Sequence, residues 1–510
     1  MRKRKLRIAV SMAMVALVTI FPIATFAEEP ADSNETVYTV DGDKTVGNIS
    51  VESNEEDMSA VGANAFAPNE AGNDVTLTVK GDVSATSGGK SYGSDAVSVD
   101  SHQNGTVTVN VEGEVKATTT SSTDPDEYIS NATGVYGYAS GDGTTNINVE
   151  KGITSSNTGD GLSHGIDIYG VDNSTISVKS NGDVVSKSSM DANGINIYQE
   201  GKSKSDITIN GNVVSTGDST AGAIDVYSPD SGQTDILVNG NVTATGKNYA
   251  SGVTLNQTGE DSVANIKIMG DLVSSGSGIN VVDYAFDYVD EDGNTIHEDN
   301  KFMGTANIVI DGTLDAKDVA ISAANTEYGN ISLTVWKIIP NKAGNVAETF
   351  DENDEIVADT VTESRIMYII KIEEGEGYAL LASNANGGEL GTSEGYNIGF
   401  EGEKILVGID VKDGYKLKAV YNGLTGEKVE IVKDADGKYY VVVPKGGGVY
   451  LSAEVEKVAT TAVNNTAKLA AKNPTPPTGD SFNKMFAIVL MLISLVGIDT
   501  VVALKKKLNA

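Results

Sequence analysis

Cysteine is absent from the 510 residues. That excludes disulfides, a zinc–thiolate centre and a thiol nucleophile, so packing and hydrogen bonds must hold the fold. Basic charge is scarce too, with 37 Lys and Arg against 71 Asp and Glu and a net charge of −34. The leader carries five bases and no acid, and the segment after Gly479 carries four bases against two acids, so without them 28 bases face 69 acids. Such a surface repels phosphate backbones and anionic lipid, which excludes nucleic acid and peripheral membrane binding as expected partners. Long apolar runs occur only at the two ends, and helical spacing is missing between them. At this length several structural units are expected, since single cores stop growing near ~250–300 residues.

Residues 1–27 have a basic start, an apolar run from Ile8 and the close Thr25-Phe26-Ala27. This order is that of a secretory signal peptide. A retained anchor helix is the other reading, and Pro22 and the cleavage-like close argue against it. At the far end, 475–510, stand Thr475, Pro476, Pro477, Thr478 and Gly479, then apolar 485–504, then Lys505-Lys506-Lys507. Linker, Pro-x-Thr-Gly, apolar helix and basic stop resemble the cell-wall sorting signal of Gram-positive surface proteins, with Thr475 in place of the usual leucine. The resemblance implies a sortase cut between Thr478 and Gly479 and covalent attachment of Thr478 to peptidoglycan, on the cell surface of a Gram-positive bacterium. Before processing, 485–504 would sit in the membrane. A permanent transmembrane anchor is the alternative, and Asp499 counts against it.

Between these ends the chain repeats. Gly81-Asp82-Val83, Gly113-Glu114-Val115, Gly152-Ile153, Gly182-Asp183-Val184, Gly211-Asn212-Val213, Gly240-Asn241-Val242, Gly270-Asp271-Leu272 and Gly312-Thr313-Leu314 follow at steps of 32, 39, 30, 29, 29, 30 and 42 residues. Each unit holds an alternating strand before the glycine, a short one after it, and a third such as Gly194-Ile195-Asn196-Ile197-Tyr198. Period-2 alternation gives strands with one buried face, and a fixed period gives stacked units. The expected fold class is all-β: three strands per unit resemble the rungs of a right-handed parallel β-helix, about eight of them over 73–335, after an N-terminal segment and cap at 28–72. The longer steps become projecting loops, at 119–133 and at 286–302, where Asp290-Glu291-Asp292-Gly293-Asn294 reads as a hairpin turn. A β-sandwich array or propeller is the alternative, disfavoured by the lack of regular hairpin turns.

After Trp336 the period is lost and longer alternating strands fill 336–458. Within it Asp413-Gly414-Tyr415-Lys416-Leu417, Asp436-Gly437-Lys438-Tyr439-Tyr440 and Tyr450-Leu451-Ser452 resemble the internalin-type B repeat of extracellular bacterial proteins. The resemblance implies a small β-rich spacer or binding module, proximal to the wall. Residues 459–477 are Thr/Asn/Ala-rich and then Pro-rich, as in an extended linker.

Parallel β-helices host polysaccharide lyases and hydrolases, and the residues for that chemistry are thin here. The only Arg beyond the leader is Arg365, outside the repeats, and His102, His164 and His297 are far apart in sequence. Asp167 and Asp225 occupy one rung position with Asn196 between them, an Asp/Asn ladder on a wet face that a hydrolase could also use. Asp287, Asp290, Asp292 and Asp299 offer oxygen ligands for a weak Ca2+, yet Tyr288 occupies the first ligand position of a calcium loop set by Gly293. No cofactor or metal is expected. Tyr138, Tyr169, Tyr198 and Tyr227 follow the third strand at intervals of 31, 29 and 29 residues, so stacked rungs align them in a column. Such a column suits glycan or host-matrix protein contact, or stacking at a corner. The expectation is therefore a surface adhesin-like or structural protein, not an enzyme, with a surface polysaccharide lyase or hydrolase as the alternative.

Overall fold

The computed structural model describes residues 31–458, except 55–57, 68–73, 89–92, 121–129, 160, 282–283, 290–294, 301, 324–329, 340–346, 349–365 and 425–426. The segments read as signal peptide, linker and sorting signal, with Thr475, Pro476, Pro477, Thr478 and Gly479, and Arg365 lie outside them. No helix among the described residues is long and apolar enough to cross a membrane.

The body is a parallel β-helix. Its chain passes repeatedly through three strand positions, as in Ser163–Gly170, Thr175–Ser180 and Val184–Ser188, before returning one level on at Ala192–Gln199. Each strand pairs in parallel with its counterparts above and below, so Ile166 faces Ile195, Ile176 faces Ser205 and Val184 faces Val213. We call the sheet containing Ser163–Gly170 the front sheet. It is 11-stranded, so ten coil-to-coil steps separate its first strand from its last. The parallel register rules out the sandwich and the propeller. The stack also begins earlier than 73, at Val37–Thr39, Gly42–Val46 and Ile49–Ser53.

The core follows from alternation. In Thr106–Val111 the side chains of Val107, Val109 and Val111 are buried, and in Val115–Thr119 those of Val115, Ala117 and Thr119. Ladders of Val, Ile and Ala therefore run the length of the stack, each branched side chain resting on its equivalent one coil away. Where the ladder turns polar it is satisfied in part: Gln199 Nε2 donates to Ser205 Oγ at 2.6 Å and Ser203 Oγ to Gln199 Oε1 at 2.8 Å, whereas Ser228 Oγ and Gln257 Oε1 are buried without a hydrogen-bond partner.

The glycine punctuation has a physical cause. At each Gly-Asx-aliphatic corner the Asx side chain accepts a backbone N–H of the next coil. Asn212 N donates to Asp183 Oδ1 (2.7 Å), Asn241 N to Asn212 Oδ1 (2.8 Å), Asp271 N to Asn241 Oδ1 (2.8 Å) and Thr313 N to Asp271 Oδ1 (2.7 Å). A Cβ on Gly240 would meet Asn212 Oδ1, so glycine makes room for the staircase. The earlier steps, Asp82 N to Asn48 Oδ1 and Glu114 N to Asp82 Oδ1, tie in the first coils.

Two insertions are expected to project. Residues 121–129 lie outside the described residues. The other is an antiparallel hairpin, Tyr284–Val289 against Thr295–Asn300, with Phe302 fully buried after it. The chain beyond the coils continues the stack: Ile366–Ile372 pairs in parallel with Asn330–Ile339, then antiparallel with Tyr396–Gly399, and in parallel with Val449–Lys457. Lys371 reaches back to Asp311 at 2.6 Å and lies over the Trp336 ring. The β-rich module thus covers the last coil, as terminal caps of solenoids do.

Candidate functional site

The front sheet carries the chemistry on its outer side. A column of small residues crosses it, Gly134, Gly165, Gly194 and Ala223 among them, and a Cβ on Gly165 would meet the Gly194 carbonyl oxygen and a Val184 methyl. Alternation shifts by one across this column, since Gly165 and Ile166 are consecutive buried residues. His164 and Asp167 thereby reach the same outer side, with His164 Nδ1 3.3 Å from Asp167 Oδ2. The distance is short but no hydrogen bond forms, because Nδ1 is buried without a partner.

Both residues are enclosed, at 8% and 7% exposure. Asp167 Oδ1 accepts from Asn196 Nδ2 at 2.8 Å, and the register continues from Asn196 to Asp225, whose Oδ1 is buried and unpartnered. Asp95 shares the position of His164 two coils earlier, through Thr133. Burial pushes its carboxyl up to about 6, with the charge of Asp167 adding to the effect and the Thr133 hydrogen bond and His164 opposing it. Burial raises Asp225 to about 6 as well, against the Thr254 hydrogen bond and His164. Asp100 is raised by burial against the pull of His102, whose Nε2 lies 2.9 Å away.

The tyrosines lie beside this group. Tyr138, Tyr169, Tyr198 and Tyr227 are mutual register partners, as their spacing predicts. Their rings divide into two runs. Tyr169 stacks on Tyr198 at 5.7 Å, Tyr198 meets Tyr227 at a tilt at 5.1 Å, and Tyr169 meets Tyr136 at a tilt at 5.9 Å. Tyr138 packs on His102 at 5.4 Å, and His102 on Phe66 at 5.7 Å. Only the Tyr169–Tyr198 pair is stacked, at 26° between planes, and the other tyrosine contacts are tilted, which are ordinary geometries for aromatic pairs. Burial and Asp167 raise the hydroxyls of Tyr136 and Tyr169, and burial and Glu200 raise that of Tyr198, keeping all three as donors.

Sequence spacing found the tyrosine register, Asp167, Asn196 and Asp225, and placed His164 beside a strand start. It missed Asp95 and Tyr136, and it missed the joining of His164 to the carboxylates. Alternation carried a signal for Tyr136, two residues before Tyr138. His297 is elsewhere, opposite Asp287 in the hairpin, whose turn residues Asp290 and Asp292 lie outside the described residues along with the calcium reading they carry. Among the described residues no three or more metal-ligating side chains are grouped.

A shallow groove of about 180 Å3 on a second sheet, lined by Asp235, Asn265, Asn307 and Lys267, differs in kind. Its carboxamides are spent on one another, Asn265 donating to Asp235 at 2.7 Å and Asn307 to Asn265 at 2.9 Å. Most of the buried polar atoms left without a hydrogen bond belong to the front sheet.

That demand makes stability depend on pH. Asp95 and Asp225 titrate near 6 when folded and at 3.8 otherwise, so between those values the folded chain holds more protons and stability increases as pH falls. The melting temperature is expected to rise from pH 7 to about pH 5, and Asp95→Asn with Asp225→Asn to flatten that slope and raise stability at pH 7 by about 2–4 kcal/mol. Melting curves with the wild-type slope in the double variant would exclude the two carboxyls as its source.

No family model matches the chain, and no curated protein or solved structure was found similar to it.

Proposed function

We propose that this is an exported protein held at the cell envelope, adhesin-like, whose front sheet binds an extended glycan. One observation carries the reading: a run of contacting tyrosines lies in register beside enclosed Asp, Asn and His side chains that have unmet hydrogen-bonding capacity. Aromatic rings and carboxylate or carboxamide acceptors are what a sugar's ring and hydroxyls need. The repetition at one coil spacing suits a repeating polymer better than a compact ligand. Calorimetric titration of residues 28–470 with a panel of glycans and matrix proteins tests the reading. Failure of every glycan to bind would refute it.

Export and anchoring rest on the terminal segments. The order Thr475-Pro476-Pro477-Thr478-Gly479, apolar stretch and basic stop supports sortase attachment through Thr478 to peptidoglycan. Gly479→Pro is expected to block the cut, leaving essentially all of the protein extractable by detergent. Wild type, in contrast, should need wall digestion for its release. Full detergent release of the wild type would favour a membrane anchor.

A polysaccharide hydrolase on the same face is the second reading, favoured by Asp225. A carboxyl raised toward neutral pH suits a general acid, and Asp167 lies two coils away as a possible base. Reducing ends released by wild type and lost in Asp225→Asn would establish turnover in place of binding alone.

A further inference from the structure

The front face combines surplus negative charge with unpartnered buried atoms. Asp95, Asp100, Asp167 and Asp225 project from it, and no strand of this sheet from Ser59–Ala67 to Ser277–Val281 contains a Lys or Arg. Lysines occur in the other sheets, for example Lys179, Lys187 and Lys204. The deficit is therefore confined to one face. Among the described residues, its strands carry two basic side chains, His102, which pairs with Asp100, and His164, which is 8% exposed with its Nδ1 without a hydrogen bond. Asp225 Oδ1 is unsatisfied too. Enclosed carboxylates without cations are costly, and a ligand that brings the cation removes the cost.

Resting on the glycan reading above, we propose that the front face takes a glycan bearing free ammonium groups, an amino-sugar polymer lacking its N-acyl substituents. Each ammonium supplies three donors and a positive charge to the carboxylates. The rings of Tyr136, Tyr169 and Tyr198 add cation–π attraction. The coil spacing of ~4.8 Å is close to the advance per residue of an extended pyranose chain, so successive sugars meet successive coils. Uronic-acid and sulfated glycans are repelled by the same carboxylates. N-acylated sugars bring a neutral amide that leaves the charge uncompensated.

The test titrates the full chain, solubilised in a neutral detergent at near-neutral pH, with three probes: a glucosamine hexamer, its N-acetylated counterpart and a lysine hexapeptide. The glucosamine hexamer is expected to bind at least about tenfold tighter than either of the others, a difference of ~1.4 kcal/mol. Asp167→Asn with Asp225→Asn is expected to erase that advantage. Asp225→Asn alone, which also relieves a buried charge and keeps the fold, should reduce it. Equal affinity for the two sugar hexamers overturns the ammonium inference and leaves the glycan reading standing. Binding of neither hexamer overturns both. Lysine peptide binding as tight as glucosamine, and equally sensitive to the aspartate variants, would make the face a general cation site and overturn the sugar assignment.

Discussion

Ile197→Asp is expected to unfold the middle of the coil stack, or to lower its melting temperature by about 10 °C or more. Ile197 is fully buried between Ile168 and Val226, its register partners on the coils either side. A carboxylate there has no partner within an aliphatic ladder, and its burial costs several kcal/mol unless it takes up a proton. Asp225, one residue before Val226 in the neighbouring strand, marks the difference that a single step of alternation makes. There a carboxyl faces outward with Thr254 to bond. In a stacked array each coil is stabilised by its two neighbours, so a lesion at the centre weakens both halves. Thr208→Asp is the control, since Thr208 sits on an outer position between Lys179 and Leu237 and should melt within a few degrees of wild type. Far-ultraviolet circular dichroism decides the outcome. An unchanged melt for Ile197→Asp would contradict the inward placement of this residue.

The same alternation accounts for what could be read without coordinates. Gly-Asx-aliphatic corners recur because an Asx oxygen must meet the next coil's N–H and a Cβ must not, so geometry writes itself into a three-residue signature. Gly47-Asn48-Ile49 has that signature, and Asn48 continues a staircase that Asp32 begins, since Asn48 N donates to Asp32 Oδ1 at 2.6 Å. Counting from Gly81 therefore started a coil late. The weak match at Gly152-Ile153 is explained likewise, because no Asx stands between them. What sequence could not deliver was the company each side chain keeps. Asp95 and His164 share a column only because two coils of unequal length close in the same register, one containing the long insertion before Asn131. His164 and Asp167 share a face only because alternation shifts at Gly165. Three residues apart, they would fall on opposite sides of an ideal strand. The continuation of the parallel coil-to-coil pairing into Ile366–Ile372 was equally hidden, since a change of strand length in sequence reads as a boundary even where the sheet runs on.

Changing Tyr169, Tyr198 and Tyr227 together to Ser is expected to weaken glycan binding by at least about tenfold while lowering the melting temperature by only a few degrees. Aromatic residues at an interface often cost over ~1–2 kcal/mol each when truncated. The ring contacts they lose among themselves, at 5.7 and 5.1 Å, contribute about 0.5–1.5 kcal/mol per pair. Each ring is half-buried on the outer face, so the aliphatic ladders beneath stay intact. A large melting loss would make the column a structural corner, and unaltered affinity in a stable variant would remove it from the binding site. The corresponding triple change to Phe separates the two parts of the side chain. It keeps the ring-to-ring contacts and deletes the hydroxyls. Recognition through hydroxyls therefore predicts that the Phe variant melts like wild type and binds nearly as poorly as the Ser variant. Recognition through exposed ring surface predicts that it retains most of the affinity. The Ser and Phe variants together assign the binding contribution to the ring or to its oxygen, because only the oxygen differs between Tyr and Phe.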